Sequence, residues 1–289
     1  RPAEMIAVDD RRCWLGEGPI WHPQRAQMFW FDILNDTLMT RDGDTPREWG
    51  FDANASAAGW VDRDTFLVAT ANGLETLNVE TGAHTPIAQV ENDNPGTRSN
   101  DGRADPYGGF WFGTMGHPGV NQTGAIYRYY RGEVRTLFLQ IAIPNATCFS
   151  PDGTRAYFAD TPDLQVMTVR LDETHGWPVG DPEVFLDFSA QGALPDGAVV
   201  DAAGNIWIAF YNGAEIAAFD PNGTKLHSIA IPAKKSTCPA FGGADLTDLY
   251  CTSCYRDVDD AELADYPQSG RLVMQSGFGP GQPEHQVIL

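Results

Sequence analysis

Three oxygen-bearing side chains stand in similar settings along this chain. Asp196 lies between Pro195 and Gly197, ahead of the apolar run Ala198-Val199-Val200. Glu17 lies between Gly16 and Gly18-Pro19, ahead of Ile20, and Asn145 follows Ile143-Pro144. Pro fixes φ on one side, and Gly admits a left-handed or tight turn on the other. Each side chain is therefore expected in a turn, at the entry to an apolar segment and pointing away from it. Two carboxylates and one amide oxygen form a hard, oxygen-only donor set. Each alone reads most simply as a turn or cap residue. Three of them, far apart in sequence and similarly framed, imply a shared centre fed by repeated units.

The elements that would position them do repeat. A Gly-, Pro- or Asp-bearing turn leads six times into a short aromatic or β-branched strand: His22-Pro23 into Met28–Asp32, Val61-Asp62 into Thr65–Ala69, and Asp105-Pro106 into Phe110–Thr114. Ser150-Pro151 then leads into Ala156–Asp160, Asp201-Ala202 into Asn205–Ala209, and Gly242-Gly243 into Leu249–Ser253. The units recur at roughly 37 to 50 residues, the length of a four-stranded propeller blade. Hairpin signals follow within units, as in Gly73–Asn78 before Glu80-Thr81-Gly82 and Glu215–Phe219 before Asp220-Pro221-Asn222-Gly223. The predicted fold is an all-β, six-bladed propeller forming one domain over residues 1–289. The ring would close by pairing Met5–Val8 with Arg271–Met274, which covers an exposed strand edge. Innermost strands of such a ring surround a central channel, and residues at their mouths converge.

Composition agrees. Of 289 residues, 42% are hydrophobic, with 30 Gly and 20 Pro, and no long stretch has helical periodicity. The formal net charge is -20 and the pI about 4.4, which disfavours nucleic acid and anionic membranes as partners. No leader or membrane-spanning run is legible. The five cysteines are irregularly spaced; Cys251 and Cys254 form a lone CxxC without a second metal-binding pair. They read as reduced thiols in a reducing compartment, so a cytoplasmic protein, monomeric or weakly self-associating, is expected.

Six motifs in order make the chain recognisable: Leu15-Gly16-Glu17-Gly18-Pro19, Arg98-Ser99-Asn100-Asp101-Gly102, Phe112-Gly113-Thr114-Met115, Ile143-Pro144-Asn145, Ser150-Pro151-Asp152-Gly153 and Pro195-Asp196-Gly197. Their ordered combination resembles the SMP-30/gluconolactonase family, the regucalcin-like sugar lactonases, from about Gly16 to Phe241-Gly242-Gly243 and beyond. Lys235-Ser236-Thr237-Cys238 and Tyr266-Pro267 are similar to its bacterial aldonolactonase branch. The resemblance implies a six-bladed propeller and metal-dependent hydrolysis of a sugar (aldono) lactone to the aldonic acid. It implies one divalent metal on Glu17, Asn145 and Asp196, calcium first, with zinc, manganese, magnesium or iron as alternatives. It also implies that Arg98 and Asn100 contact substrate and that Asp196 is the base.

Residue chemistry is compatible with these roles. Three protein ligands leave open positions, as a catalytic metal requires. Arg98 and Asn100 alternate, so in extended backbone they face one side. His117 stands near a point where some relatives carry an acidic residue that touches substrate, and it is a candidate substrate contact; the Gly116–Gly124 segment has the composition of a lid. Ala146 departs from the family, in which Gly usually follows the Asn, and would be strained if that position needs a positive φ. Cys148 reads as a small buried hydrophobe. Alternative functions are a calcium-dependent phosphotriesterase or paraoxonase-like hydrolase and a non-catalytic calcium-binding protein. A WD-type scaffold lacks its signature here.

Overall fold

A computed structural model describes residues 4–117 and 122–289. The chain forms six four-stranded antiparallel sheets arranged as a six-bladed β-propeller. Five blades are simple meanders. Their innermost strands are Gly16–His22, Ala55–Trp60, Thr97–Ala104, Pro144–Phe149 and Leu194–Val200. The sixth blade starts at Ser236–Gly242 and takes its outer strand, Ile6–Ala7, from the N-terminal end. Ile6 pairs with Met274 and Ala7 with Val273, and Val8 N donates to Leu272 O, which is the ring closure expected above.

The repeated aromatic segments are the second strands. Gln27–Asp32 and Phe110–Gly116 are buried along their whole length. They are covered on both faces because each blade packs against its neighbours. Phe29 and Phe31 of the first blade meet Phe66 and Leu77 of the second in one apolar layer, and Leu67 and Ala69 meet Phe110 and Phe112 in the next. The third blade also buries an ion pair. Asp105 accepts from Arg128 Nε at 2.7 Å, and that guanidinium lies between the rings of Tyr130 and Trp177, 4.1 and 4.4 Å from their centroids.

The residues expected in turns at blade entries lie inside the innermost strands. In every blade the pairing of the innermost with the second strand slips at the same level, after Glu17, Ala55, Ser99, Asn145, Pro195 and Ser236. The Gly and Pro residues that read as turn-formers build β-bulges, which re-aim side chains without ending the strand. Gly18 needs its freedom for a φ of 55°. Gly197 needs its missing side chain, because a Cβ there would sit 2.3 Å from Cys238 Sγ.

The C-terminal segment covers one end of the channel. Gln282 Nε2 donates to Phe149 O and Val200 O, Trp60 Nε1 donates to Glu284 O, and Glu284 pairs with Arg103. The space left there is about 30 Å³, room for about one water. No helix among the described residues is long and apolar enough to cross a membrane. All five cysteines are free and buried.

Candidate active site

The opposite mouth of the channel holds an open cavity of about 170 Å³. Glu17, Arg98, Asn100, Asn145 and Asp196 line it, so side chains from four blades meet there. All five are buried. The six bulges explain the convergence, since each directs one polar side chain inward at the same depth. Two of the six serve the fold: Ser56 Oγ donates to Asn100 O, and Thr237 Oγ1 donates to Gly16 O.

The carboxyl groups of Glu17 and Asp196 lie close enough to perturb each other's proton affinity. Burial raises the proton affinity of both, and the charge of Glu17 pushes Asp196 further, well above the carboxylate range. The two cannot both stay ionised without a proton or a cation between them.

Asn145 makes the same demand by another route. Arg98 has only donors, and its Nη1 reaches Asn100 Oδ1 at 3.1 Å. That contact turns Asn100 Nδ2 towards Pro144 O (2.9 Å) and Asn145 Oδ1 (3.2 Å). Asn145 Nδ2 then donates to Thr161 Oγ1 at 2.8 Å, and the Thr161 hydroxyl donates to Pro195 O at 2.8 Å. Reversing the Asn145 amide would give its NH2 to Pro144 O and Asp196 Oδ1, but would set it against the Asn100 NH2 at 3.2 Å. It would also require the single Thr161 proton to serve two acceptors. The relay from Arg98 to Pro195 O therefore holds Asn145 Oδ1 inward, 3.1 Å from Asp196 Oδ1. Oxygens facing oxygens at that distance call for positive charge between them.

The donors present thus fit a hard divalent cation, held by Glu17, Asn145 and Asp196. The set contains only two carboxylates; among the described residues no group of three or more His, Cys, Asp and Glu side chains has metal-binding geometry. Ala146 has a φ of 57°, nearly that of Gly18 one residue after Glu17. The chain accepts the strain of a left-handed alanine, about 1–2 kcal/mol, to make the same bulge beside its second donor.

Asn100 lines the cavity, with its amide occupied by Arg98, Pro144 and Asn145. Arg98 Nη1 is held by Ser99 O and Asn100, while Nε and Nη2 have no protein partner among the described residues. Burial lowers its pKa to about 10, which leaves it cationic. His117 is exposed and lines a separate surface hollow with Asn92, Asn94 and Thr97. Its proton affinity is lowered by partial burial and then by Arg98. Residues 118–121 of the expected lid lie outside the described residues.

Leu15, Met115, Ile143, Thr161, Tyr211 and Arg256 also line the cavity and were not singled out from sequence. Four of them share a rule. An antiparallel second strand ends beside the start of the first, as Leu194 pairs with Tyr211. Met115 and Tyr211 fall at such ends, and Thr161 and Arg256 fall just past Asp160 and Ser253.

Comparison with known proteins agrees with the propeller fold. Residues 15–255 match the family model described as the SMP-30/Gluconolactonase/LRE-like region. A pentonolactonase of Haloferax volcanii is 35% identical over 97% of this chain and 97% of its own. A 6-deoxy-6-sulfogluconolactonase of Pseudomonas putida is 35% identical over 93% and 94%. The crystal structure of a regucalcin from Agrobacterium tumefaciens, described as a calcium-binding protein, superposes with a TM-score of 0.95. It is 36% identical and covers 99% of this chain and 98% of that one.

Proposed function

The chain belongs to the SMP-30/gluconolactonase/LRE-like family, and from that premise we propose that it is a metal-dependent hydrolase of sugar lactones. The observation that carries the reading is the Glu17–Asn145–Asp196 oxygen cluster at the open mouth, beside Arg98, whose Nε and Nη2 have no protein partner among the described residues. Relatives named as lactonases along nearly the whole chain support the same reaction. A divalent cation bound by the three oxygens would polarise the ring carbonyl and make water more acidic.

The chain's own groups supply the rest. Asp196 takes a proton from the attacking water. Water oxygen bonds to the carbonyl carbon, the ring C–O bond breaks, and the released alkoxide takes the proton back. The product is the open aldonic acid, which ionises. Arg98 Nη2 and Nε donate to substrate oxygen, and Asn100 holds both Arg98 and Asn145 in place. A sugar lactone is an activated ester, so one buried carboxylate suffices as base. With a net charge of -20 the protein is read as acting free of nucleic acid and anionic membranes.

The test is a lactone panel on the chelated protein and after restoring calcium, magnesium, manganese or zinc in turn. Activity that disappears on chelation and returns with a divalent ion is expected. Full activity in thoroughly demetallated protein refutes the metal role, and metal binding without turnover of any lactone favours a calcium-binding protein.

A further inference from the structure

The cavity contains a second arginine that the reaction above does not use. The Arg256 backbone is tied at both polar atoms: its N–H donates to Trp14 O at 3.1 Å, and its O accepts from Lys235 Nζ at 2.8 Å. Its side chain has no comparable tie. The nearest acid, Asp257, lies 3.8 Å away and is itself 85% exposed. The residue is thus fixed in place with its guanidinium left for something else, at the rim of the cavity that Arg98 enters from the channel side. The two cations sense each other, since Arg256 contributes to lowering the Arg98 pKa.

Charge bookkeeping makes the pair unusual. Glu17 and Asp196 lie close together, and a divalent ion between them cancels their charge. Among the described residues, Arg98 and Arg256 then face one small cavity with only the solvent-exposed Asp257, 3.8 Å from Arg256, as a further anion. Arg98 is buried and the Arg256 side chain is 44% exposed at the rim; a neutral polyol gives no reason to place two guanidinium groups on one small cavity, because hydroxyls are served by amide and hydroxyl partners. An anionic substituent does, and guanidinium is the group best matched to carboxylate, sulfonate or phosphate. The overall charge of -20 does not oppose this. At physiological salt it is screened beyond about 8 Å, while contacts inside the cavity are not.

We propose that the preferred lactone carries an anionic group on its carbon chain, remote from the ring carbonyl, and that Arg256 is the residue that reads it. This rests on the lactonase reading above. One relative at 35% identity is named for a lactone with a sulfonate at carbon 6, so the fold accommodates such a substrate class. Arg98 stays at the reacting end, held by Asn100, and Arg256 faces the far end of the ring.

The experiment measures kcat/KM at saturating divalent ion for glucono-1,5-lactone, its 6-phosphate and glucaro-1,4-lactone, which bears a free carboxylate. Wild type, Arg256→Gln and Arg256→Lys are compared. Wild type is expected to favour at least one anionic lactone by 10-fold or more; the phosphate and carboxylate arms show which anion fits. Arg256→Gln should lower that substrate roughly 10- to 100-fold, the range for a lost charged hydrogen bond, and the neutral lactone by about 3-fold or less. Arg256→Lys should recover part of the preference. A wild type that turns over the neutral lactone as well as the anionic ones overturns this proposal alone, and so does equal loss on both classes in Arg256→Gln. Hydrolysis of none of the three overturns the lactonase reading, and this proposal with it.

Discussion

Thr161→Val tests the relay that orients Asn145. The substitution keeps the shape of the side chain and removes one hydroxyl. Two bonds vanish, Asn145 Nδ2 to Thr161 Oγ1 and Thr161 Oγ1 to Pro195 O, each 2.8 Å. The Asn145 amide then has only the Asn100 Nδ2 contact, at 3.2 Å, to point its oxygen inward. Its reversed orientation gains donors onto Pro144 O at 3.2 Å and Asp196 Oδ1 at 3.1 Å. Two hydrogen bonds replace the one from Asn100, at about 0.5–1.5 kcal/mol each, so the reversed state is favoured by roughly 1 kcal/mol in the metal-free protein. A cation needing the oxygen must first reverse the amide, and each 1.4 kcal/mol is about tenfold in Kd. The expected loss of divalent-ion affinity is about 5- to 10-fold, read by titration calorimetry or chelator competition. Thr161→Ser keeps the proton and should bind within a few-fold of wild type. A folded Thr161→Val that binds the ion as wild type does, with Asn145→Ala weakened, refutes the relay.

Four further outcomes follow from the same geometry. Asp196→Asn should lower kcat even when the ion is saturating, because it removes the base as well as a ligand; wild-type kcat in that variant removes Asp196 from the base role. Asp101 is raised from 3.8 to about 7 by burial, with Glu17 adding to the shift. Its folded pKa exceeds its unfolded one, so its stabilising contribution is full below 3.8 and lost as pH rises to about 7. The thermal midpoint of the metal-free protein should therefore fall across that window, and less so in Asp101→Asn. Asp105→Ala strands the fully buried Arg128 and should destabilise by about 3–5 kcal/mol in denaturant titration, whereas loss under 1 kcal/mol would mean that the Tyr130 and Trp177 rings suffice. Gly197→Ala places a Cβ 2.3 Å from Cys238 Sγ and should displace Asp196, lowering ion affinity together with stability.

The ring was legible because its evidence is local and repeated. Each second strand announces itself by a turn and an aromatic run, and counting six of them requires no knowledge of long-range contacts. The closing strand was legible for a related reason, since an apolar run near each end of the chain needs a partner. The three donors were legible through their Gly and Pro neighbours, although the backbone they signal is a bulge inside a strand. Gly and Pro report that φ is special or an N–H is absent, and both a turn and a bulge satisfy that report. The two differ only in whether the chain continues in the same sheet, which depends on the neighbouring strand.

What the sequence hid was the rim. Thr161 follows Asp160-rich turn chemistry, Tyr211 reads as the last residue of an apolar strand, and Arg256 sits after a CxxC that drew attention to its thiols. None has a local signature, because their roles come from where antiparallel strands end. In a propeller whose innermost strands start at the open mouth, every second strand must finish at that mouth. Residues at or shortly after those ends are therefore placed near the cavity, and in four blades one of them lines it. That rule needs only the strand order and the position of the donors, both of which the sequence supplied. Met115, Thr161, Tyr211 and Arg256 line the cavity in this way, whereas Ile33 is buried in the core, and Ala71 and His117 line the hollow beside Asn92 and Asn94. The second strands thus help to shape the rim of the cavity, while the first carry the buried oxygens of Glu17, Asn145 and Asp196.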